Sequence, residues 1–188
     1  MRLKPCVIVL SGLPLTGKST LAHAIALRCN GIALDVDHIR QEKFPNPARI
    51  LLAPEEELQV MVYAYSELIA RACRILNTGR PVILAGTFSR EEFKKPLREL
   101  KEDLEKAGVP LRVFRLSASD QAIEQRIRQR QQEGGLSNID TLEKFRWAQG
   151  LFKSIEFVPV VEIDTTKPCE ECLKAALFHL QDIQERLL

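Results

Sequence analysis

The sequence has little of several features that identify particular classes of protein. Its longest apolar run near the amino end, Cys6–Leu10, is too short for a signal-peptide core or a membrane span. The net charge of +2 gives no overall basic field, so nucleic acid is not required as a partner, although charge can still be local. The five cysteines are an odd number and follow no secretory signal, so they favour no disulfide framework. We therefore expect a cytoplasmic protein with neither a membrane partner nor an obligate protein partner.

The composition that remains is that of an ordinary globular protein, with 45% hydrophobic and 28% charged residues. Its 188 residues suit one domain, 1–188. Short apolar runs alternate with longer helical patterns along it. The runs predict strands at 6–10, 32–34, 81–85, 111–116 and 158–163, and the longer patterns predict helices at 18–29, 37–43, 54–77, 91–107, 120–132 and 168–187. Apolar strands separated by helices predict an α/β fold, in which helices cover both faces of a parallel sheet.

Residues 12–19 read Gly-Leu-Pro-Leu-Thr-Gly-Lys-Ser and match the P-loop pattern G-x-x-x-x-G-K-[ST] at every fixed position. The pattern follows a predicted strand and begins a predicted helix, where backbone N–H groups can surround phosphate oxygens. We expect Lys18 to reach the β- and γ-phosphates of a nucleotide and the Ser19 hydroxyl to bind Mg²⁺. The predicted nucleotide-binding residues are Gly12, Leu15, Thr16, Gly17, Lys18, Ser19 and Thr20.

Motifs that are missing narrow the class of P-loop protein. No aspartate is followed by glycine three positions later, as a GTPase switch requires, and no N-K-x-D is present to recognise guanine. The absence of G-x-G-x-x-G argues against a dinucleotide site and against the phosphate loop of protein kinases. ATP is therefore the expected nucleotide.

Asp37 and Arg40 come shortly after the second predicted strand. Because the carboxyl ends of parallel strands lie at one edge of a sheet, Asp37 is expected near the γ-phosphate, where it could accept the proton of an attacking hydroxyl. Arg40, one turn later, could bind acceptor or phosphate oxygens. The alternative is that Asp37 only caps a helix and Arg40 is a solvated side chain. Asp35 is a further candidate for the acceptor side.

Two arginines, Arg126 and Arg130, share one face of a predicted helix at i,i+4 spacing. Side chains at this spacing can converge on one phosphate chain and neutralise its charge during transfer. The glycine-containing segment at about 131–140 is predicted to fold over the site as a lid. The alternative is a solvated basic face.

Together these blocks resemble the small P-loop kinases of the AAA-type, predicted-kinase family, which are related to bacteriophage polynucleotide 5′-kinase and chloramphenicol phosphotransferase. The resemblance rests on GLPLTGKST at 12–20, D-x-x-R at Asp37 and Arg40, VILAGTFSR at 82–90, R-x-x-x-R at Arg126 and Arg130, and VVEIDTTKP at 160–168. It implies a nucleoside-monophosphate-kinase-like fold with a five-stranded parallel sheet in the order 2-3-1-4-5 and a short lid.

The same resemblance implies that the γ-phosphoryl group of Mg-ATP is transferred to a hydroxyl of a small molecule or of a nucleic-acid 5′ end. Asp37 would then be the base, and the two arginines would belong to the lid. Thr87 and Arg90 would line the acceptor side. Two other functions stay open, namely a P-loop ATPase that transfers nothing to an acceptor and an inactive nucleotide-binding interaction module.

Two positions depart from these relatives. Many relatives carry an aspartate at the end of the third strand, where this chain has Ala85 and Gly86, so the role of that carboxylate is expected to be missing or to pass to Asp35 or Asp37. Relatives often have glycine at the position of Leu15, so we expect the loop to avoid a left-handed backbone there.

Two further patterns are weaker. Cys169 and Cys172 form a single C-x-x-C without a second pair or suitably spaced histidines, so neither a zinc nor a redox role is favoured. A polynucleotide acceptor would need a basic track that leads to Asp37, and the candidates for it are Arg90, Lys94 and Lys95.

Overall fold

Five parallel strands form the central sheet of the computed structural model, which describes residues 3–44, 54–133 and 139–185. The strands are β1 (Val7–Ser11), β2 (Ile32–Asp35), β3 (Val82–Gly86), β4 (Leu111–Ser117) and β5 (Val160–Asp164). Their order is β2-β3-β1-β4-β5, and all four neighbouring pairs are parallel. The α/β fold and the strand order expected from the sequence are therefore confirmed.

Helices cover the sheet on both faces, and the alternation of strand side chains creates two apolar cores. Ile8 and Leu10 of β1 point into one core, whereas Val7 and Val9 point into the other. The helices are α1 (Lys18–Cys29), α2 (Val36–Lys43), α3 (Pro54–Leu76), α4 (Glu91–Ala107), α5 (Asp120–Gln132), α6 (Leu142–Leu151) and α7 (Cys169–Glu185). Across the three described ranges, no helix is long and apolar enough to cross a membrane.

The register of the strands brings their carboxyl ends to one edge of the sheet. Ser11 of β1 is level with Gly86 of β3, and Asp35 at the end of β2 is level with Ala85. On the other side, Ser117 of β4 is level with Asp164 of β5. Each strand therefore delivers the loop that follows it to the same edge, which is where the candidate functional side chains lie.

The helix α6 was not predicted from the sequence. Its N-cap is Thr141, whose hydroxyl accepts a hydrogen bond from the Lys144 backbone N–H at 3.2 Å. Phe145 packs with Ile123 and Ile127 of α5 in a small separate cluster, and Arg146 forms an ion pair with Asp120 of α5. A single buried aromatic among polar neighbours gives too weak a periodic pattern for prediction.

Candidate functional site

The P-loop joins β1 to α1, and its glycines allow the backbone to turn tightly. Gly17 has φ 78°, in the left-handed region that glycine tolerates best. A Cβ atom on Gly12 would lie 2.7 Å from the Leu116 carbonyl oxygen, so any larger residue would push the loop off β4. Thr16 is buried, and its hydroxyl donates to the Leu13 carbonyl at 2.8 Å. The close packing of Gly12 on β4 and the hydrogen bond of Thr16 thus hold the loop in its turned conformation.

Leu15 contradicts the expectation that the loop avoids a left-handed backbone where relatives carry glycine. Its φ is 69°, although it has a side chain. Two contacts compensate for this strain. The Leu15 side chain packs against the cluster that contains Ile123 and Ile127, and its carbonyl accepts a hydrogen bond from Arg126 Nη1 at 2.8 Å. The prediction was wrong because it considered only the backbone preference of leucine. It left out the contacts of Leu15 with α5, which stabilise the left-handed conformation.

Lys18 is half-buried, and its ammonium group turns back onto the P-loop, where its Nζ donates to the Leu13 carbonyl at 2.7 Å. Desolvation by burial lowers the pKa of Lys18 to about 8. The carboxylates of Asp37 and Asp35 oppose this shift, and the Arg130 guanidinium adds to it. The charge of Lys18 therefore depends on groups from three different elements that face one place.

Ser19 and Asp35 are in direct contact at the mouth of the P-loop. The Ser19 hydroxyl donates to Asp35 Oδ2 at 2.5 Å, and Asp35 Oδ1 accepts from the Asp37 backbone N–H at 2.9 Å. Asp35 is therefore the residue that caps α2, and Asp37 does not. A serine hydroxyl beside a carboxylate is an oxygen donor set that suits Mg²⁺, so these two residues fit the cation expected from the sequence.

Asp37 lies in the first turn of α2, is exposed, and lines the same cavity as Lys18. Arg40, one turn later, is not among the residues that line the cavity. Its Nη1 lies 3.9 Å from Glu57 Oε1 of α3. The pairing of Asp37 with Arg40 at one site, as expected from D-x-x-R, is not seen among the described residues.

The two arginines of α5 differ in their surroundings. Arg126 is tied down, because its Nη1 donates to Leu15 O at 2.8 Å and to Thr165 Oγ1 at 3.2 Å, and its Nη2 donates to Thr165 O at 2.5 Å. Arg130 lines the cavity one turn later, close enough to influence Lys18, and has no ion pair or hydrogen bond with the described residues. Arg126 is placed to support the loop, and Arg130 is the guanidinium available to a phosphate.

Thr165, which follows β5, was missed by sequence reasoning. It is buried, and its hydroxyl lies 3.0 Å from the Thr16 carbonyl and 2.9 Å from the Ser117 carbonyl. Together with its hydrogen bonds from Arg126, Thr165 links the P-loop, β4 and α5. The only sequence signal was its place in the block at 160–168, to which no role could be assigned by residue type.

Thr87 lies where expected, after β3 and on the wall of the cavity, and its partner Tyr65 is a second residue that the sequence did not single out. The Tyr65 hydroxyl accepts the backbone N–H groups of Thr87 at 2.9 Å and Phe88 at 3.1 Å, and it lies 3.0 Å from Thr87 Oγ1. Burial raises the pKa of Tyr65 to about 12, so it keeps its proton. Both lone pairs of the phenol are used, which leaves its proton for Thr87 and leaves the Thr87 proton free to be donated into the cavity.

The proposed basic track is not formed. Lys94 is buried and pairs with Glu91 at 3.2 Å. Arg90 is exposed, with its guanidinium 5.9 Å from the Phe93 ring centre. Neither these two residues nor the exposed Lys95 line the cavity.

The cavity at this edge of the sheet has a volume of about 530 Å³. Of the predicted nucleotide-binding residues, Leu15, Gly17, Lys18, Ser19 and Thr20 line it. Gln129 of α5 and the neighbouring Glu133 also line it, as do Val36, Met61 and Thr87. Of the predicted lid at 131–140, residues 134–138, including Gly134 and Gly135, lie outside the described residues.

Known proteins share this fold. A gluconokinase from Sinorhizobium meliloti 1021 is 21% identical, with a TM-score of 0.67 over 100% of this chain and 97% of that one. A sugar kinase from Janibacter sp. HTCC2649 is 19% identical, with a TM-score of 0.64 over 95% of both chains. The Mycobacterium tuberculosis APS kinase in complex with AMPPNP and APS is 14% identical, with a TM-score of 0.63 over 97% of this chain and 98% of that one. At these identities the likeness shows the fold.

No curated protein matches the sequence. Residues 7–152, however, match the profile of the AAA domain family AAA_33, which is more than half of the chain and includes the P-loop, Asp37 and both arginines of α5. The resemblance seen in the motifs is thereby confirmed: the chain belongs to this family of AAA-type P-loop domains and has the fold of the small P-loop kinases.

Proposed function

We propose that the protein is a phosphotransferase that moves the γ-phosphoryl group of Mg-ATP to a hydroxyl of a small-molecule acceptor. The observation that carries the proposal is the arrangement around one cavity. Lys18 and Arg130 supply positive charge, Ser19 and Asp35 supply oxygen donors, and Asp37 supplies an accessible carboxylate. These are the groups that positioning and charge neutralisation in phosphoryl transfer require.

The P-loop would bind the nucleotide through its backbone N–H groups and Lys18. The ammonium group is already directed inward by its bond to Leu13 O, so little reorganisation is needed when phosphate oxygens arrive. Arg126 would act as a positioning residue, because its three hydrogen bonds fix the loop against the lid helix. Arg130, one turn further along that helix, would meet the phosphoryl oxygens as their charge develops.

Ser19 and Asp35 would hold Mg²⁺, whose charge, when bound, neutralises the phosphate oxygens. The Cα atoms of Asp35 and Ala85 are register partners on neighbouring strands. Asp35 is thus in place to take the role of the carboxylate that relatives carry at the end of the third strand.

Asp37 would act as the general base. The acceptor hydroxyl gives its proton to the Asp37 carboxylate, its oxygen bonds to the γ-phosphorus, and the bond between that phosphorus and the bridging oxygen breaks to release ADP. Thr87 would orient the acceptor with the proton that Tyr65 leaves free. General base catalysis of this kind typically raises the rate by about 10²–10⁴.

The lining of the cavity favours a small acceptor over a polynucleotide end. It combines apolar contacts from Val36 and Met61 with the Thr87 hydroxyl. Arg90 and Lys95 do not line the cavity, so these two candidates give no basic track from Asp37 for a nucleic-acid backbone. The gluconokinase and the sugar kinase named above make polyhydroxy compounds the first acceptors to test.

The test uses γ-labelled ATP with Mg²⁺, wild-type protein and a pool of acceptors. The pool holds sugars, sugar acids, nucleosides, aminoglycoside- and phenicol-type alcohols, and 5′-hydroxyl oligonucleotides. We expect label to move to a small polyhydroxy acceptor with the wild type and not with Lys18→Ala. Asp37→Asn is the matched variant, because it keeps the size of the side chain but removes the base. Label on oligonucleotides alone would contradict the small-acceptor assignment.

A P-loop ATPase without an acceptor is the second candidate. It is favoured by Ala85 and Gly86, which leave no carboxylate at the end of β3. It predicts label in inorganic phosphate at a rate that no acceptor changes, and Asp37→Asn would then have little effect. The same experiment therefore separates the two functions.

A further inference from the structure

Cys169 and Cys172 both line the cavity beside the P-loop. Their spacing in the sequence alone did not favour a functional role. They occupy the first turn of α7, directly after the loop that carries Thr165. Both are free thiols. Cys169 is exposed, whereas Cys172 is 3% exposed. One thiol of the pair is thus open to a reagent in solution, and the other lies behind it.

The helical spacing suits a bond between them. Residues at i and i+3 of an α-helix have Cα atoms about 5 Å apart. This value falls inside the usual range for disulfides, which is roughly 4.4–6.8 Å. The two side chains also lie on the same helix face. A disulfide can therefore form without moving the helix axis.

The buried thiol is held by the loop that supports the P-loop. Cys172 Sγ donates weakly to the Asp164 carbonyl at 3.5 Å and to the Lys167 carbonyl at 3.6 Å. Between these two residues lies Thr165, which contacts Thr16 of the P-loop and Arg126 of the lid helix. A change at Cys172 therefore reaches the phosphate-binding loop through two contacts.

We propose that Cys169 and Cys172 form a reversible disulfide with a low-molecular-weight disulfide such as oxidised glutathione, and that this bond weakens nucleotide binding. In the first step the Cys169 thiolate attacks one sulfur of the oxidant, and a thiolate of the oxidant leaves. In the second step Cys172 Sγ attacks Cys169 Sγ and releases the other half. The protein loses two electrons and two protons, and the oxidant is reduced to two thiols.

The order of these steps follows from the surroundings of each thiol. Burial raises the pKa of the Cys172 thiol, and the negative charges of Cys169 and Asp164 raise it further. Cys172 is therefore the slower nucleophile toward an external reagent, and it acts once Cys169 has formed the mixed disulfide at close range. The bond removes the S–H donor of Cys172 from the Asp164 and Lys167 carbonyls, so the loop around Thr165 is held less firmly to α7, although the backbone hydrogen bonds to the Pro168 carbonyl remain.

The effect on nucleotide binding rests on the proposed function, whereas formation of the disulfide does not. The experiment treats full-length reduced protein with oxidised glutathione and counts free thiols by mass spectrometry. It then measures binding of a nonhydrolysable ATP analogue with Mg²⁺ before oxidation, after oxidation and after reduction by dithiothreitol. We expect the loss of two hydrogens at Cys169 and Cys172, an affinity about tenfold weaker, and full recovery on reduction. Bound nucleotide should in turn disfavour the disulfide at equilibrium by the same factor.

Substitutions distinguish the roles of the two thiols. Each variant is compared before and after its own oxidation. Cys169→Ser should lose the redox response. Cys172→Ala should stop at a stable glutathione adduct on Cys169, because the resolving thiol is gone. Cys73→Ser is the matched control, because Cys73 is an exposed cysteine of α3 outside the cavity, and it should keep the full response.

Two results would overturn the inference. One is failure of wild type and Cys73→Ser to form the internal disulfide, and the other is a disulfide that leaves nucleotide affinity unchanged. Failure of the nucleotide binding on which the proposed function depends looks different, because the reduced protein would then bind no nucleotide at all, whereas loss of acceptor transfer alone leaves both measurements valid. If the reduced protein binds no nucleotide, the thiol count still decides whether the disulfide forms, and its link to nucleotide binding is refuted.

Discussion

Lys18 should make nucleotide binding dependent on pH in a range where few other groups titrate. Its pKa in the free protein is lowered to about 8, chiefly by burial. Phosphate oxygens beside the ammonium group favour its charged form, so a bound nucleotide should raise the pKa toward or beyond its ordinary value of about 10.4. Binding must then take up a proton whenever Lys18 is neutral in the free protein.

The size of the effect follows from this pKa. At about pH 7, roughly nine-tenths of the free protein carries a charged Lys18, and at about pH 9 only one-tenth does. Proton uptake on binding should therefore rise from about 0.1 to about 0.9 per nucleotide, and affinity should fall about tenfold over the same range. The fall in affinity with rising pH follows from the lowered pKa of Lys18, because a lysine with its ordinary pKa would stay largely charged between about pH 7 and pH 9.

Titration calorimetry measures this uptake directly, using buffers with different ionisation enthalpies and a nonhydrolysable ATP analogue with Mg²⁺. Lys18→Arg is the matched control, because a guanidinium keeps its charge at every pH used. Its affinity should be flat between about pH 7 and 9 even if it is weaker overall. A flat affinity in the wild type, or equal proton uptake at both ends of the range, would refute the burial argument.

Substitutions at three further positions test the site. Asp37→Asn should lower the transfer rate by about 10²–10⁴ with nucleotide affinity intact, and a loss below about tenfold would remove Asp37 as the base. Leu15→Ala and Leu15→Gly both lose the packing of Leu15, but glycine tolerates the φ of 69°, so Leu15→Gly should be the more stable by about 1 kcal/mol in chemical denaturation. The opposite order would mean that the residue is not strained. Thr165→Val should lower the free energy of unfolding by about 1–3 kcal/mol, because it leaves the polar partners of the hydroxyl unsatisfied. Thr165→Ser keeps the hydroxyl and should lose less, and equal losses would mean that the hydrogen bonds are unimportant.

The parts of the fold predicted from the sequence are those fixed by local pattern. The P-loop, the bounds of α1, α4 and α5, and the buried strands each follow from spacing and from glycine or proline positions within a few residues. The helix α6 and the conformation of Leu15 were not predictable in this way. Both depend on packing against α5, which is a contact between residues distant in sequence. Patterns inside one segment carry no information about such contacts.

The candidate site shows the same division. The equal spacing of Arg126 and Arg130 suggested one shared role, yet the structure separates them by what lies opposite each side chain. Thr165 is 39 residues from Arg126 in sequence and takes up its guanidinium with two hydrogen-bonding oxygens. Arg130 is left to face Lys18 across the cavity. Residue type and spacing identify which groups can reach a phosphate, whereas the partners of each group decide which one is free to do so.

The position of Asp35 explains how the chain can lack a carboxylate at the end of β3. Neighbouring strands of a sheet lie about 4.8 Å apart, and partners in register point to the same face. Asp35 on β2 is the register partner of Ala85 on β3, and its Oδ2 already contacts the hydroxyl of Ser19. A carboxylate moved sideways by one strand would therefore stay within reach of a Mg²⁺ ion bound at Ser19.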